Sequence, residues 1–152
     1  MSRYFEDFSA GETVKTPGVT LTVAAIIDFA SKFDPQRFHI DTVAAEASPY
    51  GGLIASGFQT LCIAFRNFFN LGFITDTGLG SPGIDELRWT APVHPGDTIY
   101  TKVLIREKRE SKSRPDRGIV HLAFTAVNQR DEEVMTFTTI ALIKRRGAGE
   151  QT

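Results

Sequence analysis

An aspartate and a histidine five positions apart, Asp34 and His39, lie in the short polar segment Asp34-Pro35-Gln36-Arg37-Phe38-His39-Ile40-Asp41, inside an otherwise apolar region. A carboxylate beside an imidazole can share the activation of a water molecule, one group accepting its proton while the other supplies or orients one. Pro35 disfavours α geometry at Asp34 and has no N–H with which to continue a helix, so the spacing predicts a stiff, non-helical segment that keeps the two side chains close. Downstream, Gly57 stands where a long apolar helix should begin. Unpaired N–H groups at such an end, and the helix dipole, suit an oxyanion or enolate forming from a carbonyl. Spacing alone favours a plainer reading, an N-cap or a satisfied loop hydrogen bond.

The elements that must position these groups can be read from periodicity. Thr22 is a candidate N-cap, and Val23, Ile26, Ile27 and Ala30 fall at i, i+3, i+4 and i+7, one face of a helix ending near Phe33. A second short helix is expected over Thr42 to Ala47, capped by Asp41 or Thr42 and stopped by Ser48-Pro49. The loop Pro49-Tyr50-Gly51-Gly52-Leu53-Ile54-Ala55 leads into a central helix from Ser56 or Gly57 to Leu71. Its apolar positions Phe58, Leu61, Cys62, Ile63, Ala64, Phe65, Phe68 and Phe69 predict burial on nearly all sides. Gly11 to Leu21, with Pro17-Gly18, reads as a short strand or irregular entry. After the Gly/Pro-rich link Thr77 to Gly83 the period becomes two. Ile99, Thr101, Val103 and Ile105, then Val120, Leu122, Phe124 and Ala126, alternate with their neighbours, and Val134 to Ile143 forms a third strand-like run. Hairpin turns at 113–118 and 129–132 make these an antiparallel meander against one long helix, an α+β architecture.

Composition limits what such a chain can do. With 152 residues it is expected to be one domain, 1–152, with a frayed tail over 147–152. The 17 basic and 18 acidic residues give a net charge of −1, no electrostatic footprint for nucleic acid or an anionic membrane. The N-terminus lacks an apolar core of signal-peptide type, and the stretch around Leu61 to Phe69 is too short and too interrupted to span a bilayer. The single cysteine, Cys62, excludes an intramolecular disulfide and fits a reducing compartment, so the expected location is the cytoplasm.

Other candidates have structural readings. Cys62 is expected in the core. Ser56 precedes Gly57 without a G-x-S-x-G elbow and reads as a helix cap. His94 and His121 read as structural. His39 and Asp41 lack a third ligand at useful spacing, so no metal is expected. Arg88, Lys102, Arg106 and Lys108 read as solvated strand charges.

Phe33-Asp34-Pro35-Gln36-Arg37-Phe38-His39-Ile40-Asp41, then Ala44, then Gly52-Leu53-Ile54-Ala55-Ser56-Gly57, resemble the signature of MaoC-like dehydratases, the (R)-specific enoyl-CoA hydratase group of hotdog-fold proteins. Leu87 to Asp97 resembles the strand and proline turn of that family, and the resemblance runs from about Thr22 to Arg145. It implies a hotdog fold, an antiparallel sheet wrapped around a long central helix. It also implies catalytic roles for Asp34 and His39, an oxyanion-binding N–H at Gly57, and substrate contacts at Phe33, Tyr50, Ile54 and Ser56. The implied reaction adds water to a trans-2-enoyl thioester, or removes it, with no cofactor, the coenzyme A or acyl-carrier-protein thioester being the substrate. A homodimer or dimer of dimers is the implied assembly. Three positions depart from the family pattern: Phe33 replaces a glycine, Gln36 an asparagine that often helps orient the dyad, and Arg37 a proline. Two other classes stay open. A hotdog thioesterase would place a carboxylate on the central helix, which from Gly57 to Leu71 has no Asp or Glu. A non-catalytic acyl-thioester binder would keep the fold without the reaction.

Overall fold

A computed structural model describes residues 1–147; the tail expected to fray lies, apart from Gly147, outside them. A 3-10 turn (Phe5–Asp7) leads into short strands β1 (Thr13–Lys15) and β2 (Val19–Thr20). Four helices follow, α1 (Val23–Phe33), α2 (Arg37–Ile40), α3 (Thr42–Glu46) and α4 (Gly57–Phe69). Strands β3 (Ile84–Trp89), β4 (Thr98–Glu110), β5 (Arg117–Val127) and β6 (Glu133–Lys144) complete the chain. The sheet runs β1-β4-β5-β6-β3, with β2 also paired to β4, and all its pairings are antiparallel. This sheet curls round α4 in the hotdog arrangement. Among the described residues no helix is long and apolar enough to cross a membrane.

The period-two signal sets the sheet's inner face. On β4, Ile99, Thr101, Val103 and Ile105 point inward, and on β5 Val120, Leu122, Phe124 and Ala126 do the same. Phe124 pairs with Phe137 across β5 and β6, their rings stacked 4.5 Å apart at 13°. Phe65 of α4 closes on both rings, at 5.5 and 5.3 Å, so one aromatic cluster joins the helix to the two longest hairpin strands. Offset-stacked and edge-on pairs of this kind add to the burial of the rings themselves.

Three expectations change. The segment 34–41 is not free of helix, because Pro35 blocks α geometry only before it. Arg37–Ile40 makes one turn beyond it, with Gln36 as its N-cap. The central helix is not buried on nearly all sides: Gln59, Thr60, Ile63, Ala64, Asn67 and Phe68 face inward, while Phe58 (52%) and Phe69 (45%) are exposed. Cys62 lies on that outer side and is exposed, not in the core. The inward amides are partly accommodated: Gln59 Nε2 donates to the Ala25 carbonyl at 3.1 Å and Asn67 to that of Ile99 at 3.4 Å, while the Gln59 Oε1 is buried without a partner. A buried polar group costs little when it is hydrogen-bonded. Thr22 caps α1 by accepting from the Ala25 N–H at 3.1 Å, and Asp41 caps α3 by accepting from Ala44 at 3.0 Å.

Candidate active site

Asp34 ends α1, its N–H donating to the Ala30 carbonyl at 2.9 Å. The turn of α2 then carries His39 back towards it. His39 is 4% exposed, and its Nδ1 lies 2.7 Å from the Ile54 carbonyl. A carbonyl can only accept, so Nδ1 carries the proton and Nε2 is left to exchange one. Nε2 stands 3.3 Å from Oδ2 of Asp34. The loop before α4 is fixed on two sides: the Ile54 N–H donates to the Phe38 carbonyl at 3.1 Å and the Ala55 N–H to that of Val93 at 2.8 Å.

Asp34 has two further donors. Gln36 Nε2 donates to Oδ1 at 2.8 Å, and the hydroxyl of Ser56 donates to Oδ2 at 2.7 Å. Burial opposes ionisation of Asp34, yet the hydrogen bonds from Ser56 and Gln36, with His39 adjacent, outweigh it and hold the carboxyl below its ordinary 3.8. Ser56 also accepts from the Phe58 N–H at 3.2 Å as the N-cap of α4. One buried hydroxyl therefore ties the carboxylate to the helix start. Gln36 reaches the aspartate in the place of the family's asparagine. Arg37 turns to solvent and meets Asp41 at 3.4 Å, so its replacement of proline leaves the dyad untouched.

Asp34, His39, Tyr50, Ile54, Gly57 and Trp89 line one cavity of about 420 Å³, with Gln36, Thr60, Pro92 and Val134 among its other walls. Gly57 is the first residue of α4, so its N–H has no partner within the helix. A side chain there would strike the indole of Trp89, which lies against it; the position accepts glycine alone. Two residues expected at the substrate do not line this cavity. Phe33 is 70% exposed on the last turn of α1, its ring tilted against that of Phe29, and Ser56 is fully buried behind Asp34. His94 and His121 lie elsewhere, at 4.0 Å from Asp97 and 2.8 Å from Glu107. Trp89 was not singled out by sequence reasoning; its signal was a lone tryptophan at a strand end just before a proline turn. Among the described residues no three His, Cys, Asp or Glu side chains converge as metal ligands would.

A larger cavity, about 680 Å³, opens at the other end of α4 between Phe65, Phe68, Phe69, Leu122, Phe124 and Leu142. No titratable side chain lines it.

The chain is similar to known proteins. YdeM of Bacillus subtilis (strain 168), an uncharacterized protein, is 31% identical over 92% of this chain and 98% of its own. The MaoC-like dehydratase from Rhodospirillum rubrum superposes with a TM-score of 0.87 at 36% identity, over 94% of this chain and 97% of that one. Mesaconyl-CoA hydratase of Cereibacter sphaeroides is 26% identical over 95% of this chain, which spans only 42% of that enzyme's length. Residues 7–128 match the sequence pattern of the MaoC like domain, most of the chain, and the chain belongs to the family of MaoC-like hotdog dehydratases.

Proposed function

We propose that the protein is an acyl-thioester hydratase or dehydratase acting on a trans-2-enoyl-CoA-type substrate, free or on an acyl-carrier protein. The observation that carries this reading is the convergence of Asp34, the free Nε2 of His39 and the Gly57 N–H on one cavity. The reacting water is one that hydrogen-bonds to both side chains at once from the cavity side, since Nε2 and Oδ2 stand only 3.3 Å apart. His39 Nε2 takes a proton from it as its oxygen bonds to C3 of the enoyl group. The C2=C3 electron pair moves to the thioester carbonyl, whose oxygen becomes an enolate held by the Gly57 N–H. His39 returns the proton to C2 on the same face, so one water is added in syn fashion; the reverse sequence removes it. Asp34, kept ionised by its donors, orients the water and stabilises the imidazolium. No cofactor takes part.

The dehydratase and hydratase names of two relatives support the reaction class. Tyr50 and Ile54 are proposed to contact the acyl or pantetheine portion, and Ser56 acts through Asp34. A homodimer is the proposed assembly, supported by the open edge of β3 and by the exposed rings of Phe58 and Phe69 on α4. Sedimentation at micromolar concentration is expected to show the dimer; a one-chain species would contradict it. The test of activity is hydration of a panel of enoyl-CoA thioesters by wild type beside Asp34→Asn. Wild-type turnover that the variant loses is the expected result, and equal turnover by both contradicts the role of the dyad.

A further inference from the structure

We infer that Trp89 is a second hydrogen-bond donor to the substrate carbonyl, acting beside the Gly57 N–H; this rests on the enoyl-thioester reading of the site. Nε1 and Cε2 of its indole occupy the space that a Cβ on Gly57 would take. By standard bond lengths a Cβ lies about 2.5 Å from its own backbone nitrogen. The indole nitrogen and the Gly57 nitrogen therefore stand within about 5 Å of each other, and a single oxygen can lie about 3 Å from both. Nε1–H has no acceptor among the described residues, although the side chains on either side, Arg88 and Thr90, each donate to a backbone carbonyl.

The indole is held in place. Trp89 pairs with Met135 on β6, and the Thr90 N–H donates to the Val134 carbonyl at 2.9 Å. Phe58 packs edge-on against it with ring centroids 5.5 Å apart. The strand pairing sets where the side chain leaves the sheet, and Phe58 and Gly57 flank the ring, so the indole stands against the site before substrate arrives. A donor half-exposed at a cavity wall, with no partner in the chain, is satisfied by a ligand oxygen or by water. The site already holds one unpaired backbone donor at Gly57; the indole supplies another within reach of the same oxygen. Both strengthen as the carbonyl gains enolate character, so the benefit falls on the transition state more than on the bound substrate.

The test compares wild type, Trp89→Phe and Trp89→Ala with crotonyl-CoA, following kcat and KM separately. Trp89→Phe keeps an aromatic wall, smaller than the indole, and removes the N–H. Its kcat is expected to fall by about a hundredfold with KM changed little, as for loss of an oxyanion donor. Trp89→Ala is expected to raise KM as well, having lost the wall. A Trp89→Phe enzyme with kcat within about twofold of wild type overturns the inference and leaves the hydratase reading standing. Absence of wild-type turnover with every enoyl thioester overturns that reading and the inference with it. Trp89 is the only tryptophan, so its emission gives a readout that no variant's folding can spoil: titrating wild type with butyryl-CoA is expected to shift or quench it. Saturable binding seen by calorimetry without any change in emission overturns the contact.

Discussion

The two ends of α4 hold cavities of opposite character. At the C-terminal end the larger one, about 680 Å³, is walled by Phe65, Phe68, Phe69, Leu122 and Phe124 and has no titratable group. At the N-terminal end the smaller, about 420 Å³, gathers Asp34, His39 and Gly57. Volume follows from how bulky side chains fill the curl of the sheet, while chemistry follows from donors and acceptors brought within hydrogen-bond reach. The polar end owes its arrangement to the helix terminus: only there does α4 present unpaired N–H groups, and only there can Ser56 serve the cap and the carboxylate together. The aromatic end offers no group that can exchange a proton, and its ring contacts join α4 to the sheet.

The comparison can be broken from either side. The largest effect is expected from His39→Ala, which should lower turnover per folded molecule by about a thousandfold, the loss of its buried contact with the Ile54 carbonyl being read separately as a drop in Tm. Comparable turnover by the variant would move the chemistry elsewhere. At the other end Phe124→Ala should spare turnover. Removing a ring from the Phe65, Phe124 and Phe137 stack costs about 3–5 kcal/mol of stability, read as a drop in Tm, with kcat per folded molecule unchanged. A large loss of kcat there would mean that the aromatic end shapes the site.

Ser56→Ala tests the join. Loss of the cap should cost about 1 kcal/mol of stability, and loss of the hydroxyl donor should raise the Asp34 carboxyl towards its ordinary 3.8, measurable by NMR titration of the carboxyl carbon. The sign of the linkage follows: a carboxyl depressed in the folded state contributes stability that is full above the unfolded value of 3.8 and is lost as pH falls through the lower folded value. Wild type should therefore lose stability on acidification more steeply than Asp34→Asn in that window, and parallel curves would contradict the account. The smallest effect is expected at Arg37, whose side chain is 80% exposed. Arg37→Ala should alter both stability and turnover by no more than about 0.5 kcal/mol equivalent.

Much of the fold was legible because it rests on local pattern. Val120, Leu122, Phe124 and Ala126 alternate in sequence and all point inward, and Thr22 caps α1 as its side chain allows. The orientation of α4 was not legible. Counting apolar residues hid an ordinary two-sided helix, since Phe58 and Cys62 face out while Gln59 and Asn67 face in. What admits those amides is a carbonyl on α1 and another on β4, partners that no local window contains. In the site, Asp34, His39 and Gly57 stood out by spacing and by resemblance. The turn of α2 that joins them and the indole over Gly57 did not, because the first re-forms just past a proline and the second arrives from a distant edge strand. The departure at Gln36 became intelligible only when its amide was seen to reach Oδ1 of Asp34.

The central claim, that the polar end of α4 hydrates an enoyl thioester, is tested most directly by the ultraviolet absorbance of the conjugated enoyl-CoA bond. The account predicts decay of that band with wild type and none above background with His39→Ala. Undiminished decay with His39→Ala, or no decay with wild type for any acyl length tried, would contradict it.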